Sequence, residues 1–145
     1  MTMMTHAIVG GMLSREKRSA IINVSSIAGE YPIPFITTYS ATKAYNDFFS
    51  QSLAMEYSHK VDVLSLRPMY VESKLSKMEK SCTVASAQEC AQAALKYLGV
   101  DYETNGYYVH RLLSYLSSCL PTPILRCISE SESRKIMEAE QNPSP

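Results

Sequence analysis

Blocks of apolar residues separated by polar turns divide the chain into alternating strand and helix candidates. Ala20-Ile-Ile-Asn-Val24 is a short apolar run of the kind that forms a strand covered on both faces. Val61-Asp-Val-Leu-Ser-Leu66 is a second, stopped by Arg67-Pro68, and Gly106-Tyr-Tyr-Val109 is a third. Between the first two, a helix is predicted from about Tyr39 to Ser58. Its Ala41, Tyr45, Phe48, Leu53 and Met55 supply a broad apolar surface for core or subunit contact. Ser86 to Leu98 forms a helix opened by a capping box, Ser86 with Glu89, and stopped at Gly99. Met4, Ala7, Ile8 and Met12 share one face of an N-terminal helix that Gly10 and Gly11 weaken. Leu112, Leu113, Leu116 and Leu120 form another apolar helical face, broken by Pro121 and Pro123. The polar stretch Glu72 to Ser81 is expected to be a loop with a short helix. Ser129 to Pro145 is expected to be one short helix and a frayed tail. Strands alternating with helices predict a parallel α/β layer, with an apolar edge at Ala20 to Val24 that needs a partner.

Composition narrows the function classes. At 145 residues the chain can form one domain with a real core. Fourteen basic residues balance fourteen acidic ones, so the whole chain has no electrostatic footprint for nucleic acid or an anionic membrane. Cys82, Cys90, Cys119 and Cys127 show no C-x-x-C spacing and follow no secretory signal, which predicts reduced thiols and no metal site or disulfide. No run reaches the roughly eighteen apolar residues of a membrane span, and the N-terminus has no signal-peptide pattern.

The candidate chemistry lies around the first strand. Ser26 ends it, and thirteen positions later Tyr39 opens the long helix with Lys43 one turn on. Residues four apart on a helix are neighbours, so an ammonium can lie beside the phenol. A hydroxyl, a phenol and an ammonium then converge at the carboxyl edge of a parallel sheet, where open α/β folds bind ligands. A free tyrosine titrates near 10; a nearby ammonium favours the phenolate and fits the phenol for acid/base work near neutrality. A bare Tyr-x-x-x-Lys is weakly specific among ten tyrosines. Tyr70 and Lys74 match it too, but they follow Arg67-Pro68 rather than opening a helix and read as loop residues. His6, standing alone, reads as a packing or surface residue.

Asn23-Val-Ser-Ser26 followed by Tyr39-Ser-Ala-Thr-Lys43 resembles the catalytic segment of the short-chain dehydrogenase/reductase family. Asp47-Phe-Phe-Ser-Gln51, Arg67-Pro-Met-Tyr-Val-Glu-Ser-Lys-Leu75 and Thr104-Asn-Gly-Tyr-Tyr-Val-His110 resemble its 17β-hydroxysteroid dehydrogenase and very-long-chain 3-oxoacyl-CoA reductase branch. The resemblance implies reduction of a ketone on a steroid or 3-oxoacyl-CoA lipid by NADP(H), with NAD(H) as the alternative. It assigns Tyr39 as acid/base, Lys43 as its partner and a ligand of the nicotinamide ribose, and Ser26 as the group orienting the substrate oxygen. Pro68, Val71 and Ser73 match the stretch whose backbone holds the nicotinamide carboxamide, with Met69 where the family usually has glycine.

The family's asparagine before the serine-bearing strand is missing, and Gly10, Gly11, Gly29, Gly99 and Gly106 form no dinucleotide-binding fingerprint. The expected fold is therefore a partial Rossmann-like doubly wound parallel sheet of about three strands, lacking the N-terminal dinucleotide-binding half. Residues 1–128 would be the catalytic half and 129–145 a polar tail, with little activity alone. The implied partners are a hydrophobic ketone substrate and a homo- or hetero-dimer with a full-length relative through Tyr39 to Ser58; a non-enzymatic binding role through that helix is the alternative function. Endoplasmic-reticulum association follows only from the resemblance, otherwise the cytoplasm. For Leu112 to Leu120, burial under a substrate pocket is expected, with a membrane-surface role as the alternative.

Overall fold

The computed structural model describes residues 1–141 except Leu75 and Lys77. Its elements in chain order are α1 (Thr2–Leu13), β1 (Ser19–Val24), a 3-10 turn (Ile27–Gly29), α2 (Thr37–Glu56) and β2 (Val61–Leu66). There follow β3 (Tyr70–Val71), β4 (Val84–Ala85), α3 (Ala87–Tyr97), β5 (Glu103–Thr104), α4 (Tyr108–Ser118) and α5 (Thr122–Gln141). The fold is α/β with a three-stranded parallel sheet in the order β1-β2-β5. Ser19 lies opposite Val61 and Val24 opposite Leu66, and β2 then pairs Ser65 and Leu66 with Glu103 and Thr104.

The period of two along β2 builds both layers of core. Val61 and Val63 point to one face and pack with Leu53 and Ala54 of α2, Ile21 of β1, and Met12 and Leu13 of α1. Leu64 and Leu66 point to the other and pack with Ala85, Cys90 and Ala94, the last two from α3. So β2 is covered on both faces. Strand β1 is not: Ile21 and Asn23 face inward, but Ile22 and Val24 are 36% and 54% exposed. Helix α3 reaches over β2 and β5 and stops short of β1, which overturns the expectation of a doubly covered first strand.

Helix α3 forms as its cap predicts. Ser86 Oγ accepts from the Glu89 amide at 3.2 Å, and the Glu89 carboxylate accepts from the Ser86 amide at 3.1 Å. Lys80 and Ser86 hold that carboxyl down at about 2. The third strand moves: β5 is Glu103–Thr104, and Tyr108 and Val109 belong to α4. Gly106, at φ 70°, turns the chain between them. Its missing Cβ would sit 3.1 Å from Leu66 and 3.3 Å from Cys90, so both the turn and the close packing need glycine. In α1 the inward face is Thr5, Val9, Met12 and Leu13, while Met4 and Ile8 are exposed, as is His6. The expected short terminal helix is instead α5, continuous across residue 129; residues 142–145 lie outside the described residues. The small parallel pair β3–β4 had no signal in the pattern. Around it, the described residues of the Glu72 to Ser81 stretch contain no helix.

Helix α4 corrects the reading of the leucines. Leu112 and Leu116 are 55% and 51% exposed, and the buried residues are His110 and Ser114. His110 is fully buried. Its Nδ1 accepts from the Met69 amide at 3.3 Å and its Nε2 lies 3.1 Å from the Thr83 carbonyl, which it can reach as donor. The neutral ring thus ties α4 to the loop after β2 and to the lead-in of β4. Burial pushes its pKa below the ordinary value, so the fold favours the neutral form.

Two predictions follow from these contacts. Because the folded-state pKa of His110 is depressed, its stabilising effect is complete above the unfolded value of about 6.5 and fades as pH falls below it. A thermal-melt series should show midpoints dropping through this window, and His110→Gln should remove that component. Gly29 sits where an added Cβ would come within 2.8 Å of the Lys43 and Ala44 backbone. Gly29→Ala should cost about 1–3 kcal/mol in denaturant unfolding, whereas Gly10→Ala, with open space around it, should not destabilise.

Candidate active site

The crossing of β1 over α2 is fastened by small polar side chains. Ser25 continues the ladder by donating its amide to Leu66 at 2.7 Å, and its hydroxyl donates to the Lys43 carbonyl at 2.6 Å. Ser26 is extended, at φ −166°, and its Oγ caps the 3-10 turn by accepting from the Ala28 amide at 3.2 Å. The next amide, of Ile27, donates to the Pro68 carbonyl at 3.1 Å, bringing the loop after β2 beside Ser26. Gly29 then lets the turn lie directly on the α2 backbone at Lys43 and Ala44. Ser40 completes the fastening: its hydroxyl bonds the Ala28 carbonyl and lies 3.2 Å from that of Tyr31.

This fastening sets Tyr39 and Lys43. Tyr39 stands in the first turn of α2 and is 48% exposed. Lys43 Nζ lies 5.5 Å from the Tyr39 ring centroid, within cation–π range, and donates to the Val24 carbonyl at 3.0 Å. Ser26, Tyr39 and Lys43 therefore gather at the carboxyl end of β1, though no hydrogen bond joins any two of their side chains. The predicted cofactor residues are spread more widely. Pro68 touches the 3-10 turn; Val71 pairs with Ala85; and Ser73 is bonded to Ser76, Oγ to Oγ at 3.0 Å.

Behind this edge lies a polar cluster that the sequence pattern did not reveal. Arg67 Nη2 bonds Glu103 at 2.8 Å, Nη1 lies 3.4 Å from Asp47, and Nε lies 3.5 Å from Glu30 without a hydrogen bond. Asp47 also accepts from Ser65 at 2.5 Å and Gln51 at 3.0 Å. Glu30 accepts from Ser114 and Asn105. Burial, with Asp47 nearby, pushes the Glu103 carboxyl up against the opposing pull of Arg67. Asp47 stands four residues beyond Lys43, and Glu30 adjoins Gly29. That spacing was the one available signal that the cluster supports the Tyr39–Lys43 region.

A cavity of about 540 Å³ opens between residues 29–37, α2 and α5, walled by Tyr31, Pro32, Pro34, Ala41 and Ala44, with Arg126 at its side. Cys90 is buried and the other three cysteines are exposed; all are free thiols. Among the described residues there is no cluster of His, Cys, Asp or Glu able to hold a metal ion.

Comparison with known proteins places this arrangement. The sequence profile of the short chain dehydrogenase family matches residues 1–83. The very-long-chain 3-oxoacyl-CoA reductase of Bos taurus is 45% identical over 121 residues, covering 82% of this chain and 38% of that protein. The reductase of the same name from Homo sapiens is 42% identical over the same length and shares. The chain thus spans well under half the length of these relatives. A short chain dehydrogenase from Burkholderia cenocepacia, solved in complex with NADP, superposes with a TM-score of 0.68 at 24% identity, covering 80% of this chain and 50% of that one. With its serine-ended strand and its tyrosine and lysine one turn apart on α2, the chain belongs to the short-chain dehydrogenase/reductase family, in the branch of the very-long-chain 3-oxoacyl-CoA reductases.

Proposed function

We propose that this chain carries the catalytic half of an NADP(H)-dependent reductase acting on the ketone of a 3-oxoacyl-CoA or a steroid. The observation that carries the reading is Lys43 Nζ, 5.5 Å from the Tyr39 ring and anchored at the end of the Ser26-bearing strand. Tyr39 would give its phenolic proton to the oxygen that becomes the alcohol; the chemistry a bound nicotinamide would supply is hydride to the carbon. Lys43 would stabilise the negative charge left on the phenol and would hold the nicotinamide ribose. The Ser26 hydroxyl orients the ketone oxygen. Pro68, Val71 and Ser73 would hold the carboxamide end through their backbone. The names of the relatives support a lipid substrate, and the apolar cavity beside Ala41 and Ala44 suits its body.

Residues 1–128 form the catalytic half on this reading, and residues 129–145 append to it. The pyrophosphate cradle has no counterpart among the five glycines, so the chain by itself binds cofactor weakly and turns over little or nothing. Association with the endoplasmic reticulum belongs to the same proposal. No helix among the described residues is long and apolar enough to cross a membrane.

A second reading is favoured by one feature. Tyr45, Phe48 and Met55 stand 54%, 70% and 61% exposed along α2, and on the opposite face of the sheet Ile22 and Val24 of β1 are also exposed. These surfaces suit a second dehydrogenase subunit or a full-length relative, and the chain would then act as a binding partner rather than an enzyme.

NADPH titration of the chain, followed by fluorescence, separates the readings. A nicotinamide site gives saturable binding that Lys43→Ala weakens and Tyr39→Phe leaves nearly intact. In a context that turns over 3-oxoacyl-CoA, Tyr39→Phe should lower the rate about 10²–10⁴-fold. Absence of binding, together with co-purification of a full-length reductase that Phe48→Glu abolishes, would replace the enzymatic reading with the second one.

A further inference from the structure

We infer that His110 of α4 is a positioning residue that fixes the backbone of the loop proposed to receive the nicotinamide carboxamide. Met69 directly precedes β3 and Thr83 directly precedes β4, and the two strands run parallel with Tyr70 opposite Val84. Met69 and Thr83 therefore occupy the next register position of that pair. The His110 ring stands across this position. Its Nδ1 accepts from the Met69 amide at 3.3 Å, and its Nε2 lies 3.1 Å from the Thr83 carbonyl. One imidazole thus takes the place of a ladder rung.

The strand pair needs that rung. Strands β3 and β4 have two residues each, too few to hold themselves together in water. At their far end the Glu72 amide reaches the Ala85 carbonyl at 2.8 Å, and His110 closes the near end. Both ring nitrogens are committed. A backbone amide only donates and a carbonyl only accepts, so one tautomer serves both, with the proton on Nε2 and none on Nδ1. Tyr107 packs edge-on against the ring, with centroids 5.3 Å apart, and restricts its tilt. The ring is fully buried, and a leucine or phenylalanine would fill such a space without desolvating two nitrogens. What histidine adds is the pair of directional bonds.

The neighbours of Met69 give these bonds their consequence. The Pro68 carbonyl accepts from the Ile27 amide at 3.1 Å, next to Ser26, and Val71 pairs with Ala85. His110 holds the one residue between Pro68 and β3. The backbone from Pro68 to Val71 is thereby fixed to the serine-ended strand on one side and to α4 on the other. Without the imidazole the Met69 amide would turn toward water, and the short strand pair would lose its near end. His110 acts through this backbone rather than on a substrate or cofactor. Its role at the carboxamide rests on the reductase reading; its bonds to Met69 and Thr83 do not.

Two measurements on the full chain test it. Nitrogen NMR of the wild-type imidazole near neutral pH should find Nε2 protonated and Nδ1 bare. A proton on Nδ1 would overturn the inference, because the Met69 amide would then have no acceptor. NADPH titration is next compared across the wild type, His110→Leu and His110→Gln; glutamine keeps one donor and one acceptor, and leucine keeps neither. His110→Leu should weaken NADPH binding about tenfold and speed hydrogen exchange at the Met69 and Glu72 amides. The Ser25 and Arg67 amides, bonded to Leu66 and Thr104, should keep their protection, and His110→Gln should restore both properties. Unchanged affinity in His110→Leu, or equal loss of protection at Ser25 and Arg67, would overturn the role and leave a residue that only stabilises the fold. Should His110→Leu misfold, saturating NADPH must shift the His110 ring signals of the wild type, and their constancy while NADPH binds would overturn it. Absence of NADPH binding by the wild type removes the reductase reading and the carboxamide role together, whereas binding that His110→Leu leaves intact removes the role alone.

Discussion

The carboxyl end of the sheet depends on how closely the turn after β1 approaches α2. Gly29 makes that approach possible, since any side chain there would meet the Lys43 and Ala44 backbone. Ser25 and Ser40 make it specific, one hydroxyl reaching the Lys43 carbonyl and the other the carbonyls of the turn. Apolar contacts could supply comparable attraction, but they tolerate sliding; a buried hydroxyl that must meet a carbonyl does not. Because the clasp acts on Lys43 itself, the reach of its ammonium to Val24 and its place beside Tyr39 are consequences of backbone packing.

The same preference for polar contacts runs along α2. Its inward face reads Ser40, Asp47, Ser50, Leu53 and Ala54. Asn23 of β1 donates to Ser50 at 2.9 Å, and Ser65 of β2 to Asp47. Its last two turns, with Phe49, Leu53 and Ala54, contribute to the apolar core with Val61 and Val63. The helix from Ser40 to Ser50, which includes Lys43, is thus held largely by directional bonds, and its C-terminal end mainly by burial. A functional edge needs fixed geometry more than it needs adhesion, and the division along α2 follows that need.

This division explains what could be read beforehand. Strand β2 appears at Val61–Leu66 as expected, and α3 appears with its capping box, because local apolar runs and cap chemistry act within a few residues. The Lys43 bond to the Val24 carbonyl sets Lys43 and Tyr39 at the end of β1, and their closeness was legible from one helical turn. The faces of α2 and α4 were not, because hydropathy assigns leucines inward and hydroxyls outward. Here His110 and Ser114 are bought inside by partners remote in sequence, Met69 and Thr83 for one and Glu30 for the other. Tyr107, Tyr108 and Val109 read as strand by composition, yet Gly106 in the left-handed region redirects the chain before them. In each case a long-range contact or a backbone turn outweighed a local propensity.

Arg67 shows how far such remote contacts organise the molecule. One guanidinium at the end of β2 faces carboxylates from the turn after β1, from α2 and from β5. Three anions around one cation would repel, and neutral donors spread the excess: Ser65 and Gln51 on Asp47, Ser114 and Asn105 on Glu30, Gln51 again on Glu103. Such a cluster is poor glue, since desolvating its charges offsets much of their attraction. Its value is positional. Removing Arg67 would leave half-buried carboxylates facing one another across three elements, which drives those elements apart rather than merely loosening them. The cluster therefore makes the spacing of the turn, α2 and β5 a single correlated quantity, and the tyrosine and lysine of α2 inherit that spacing.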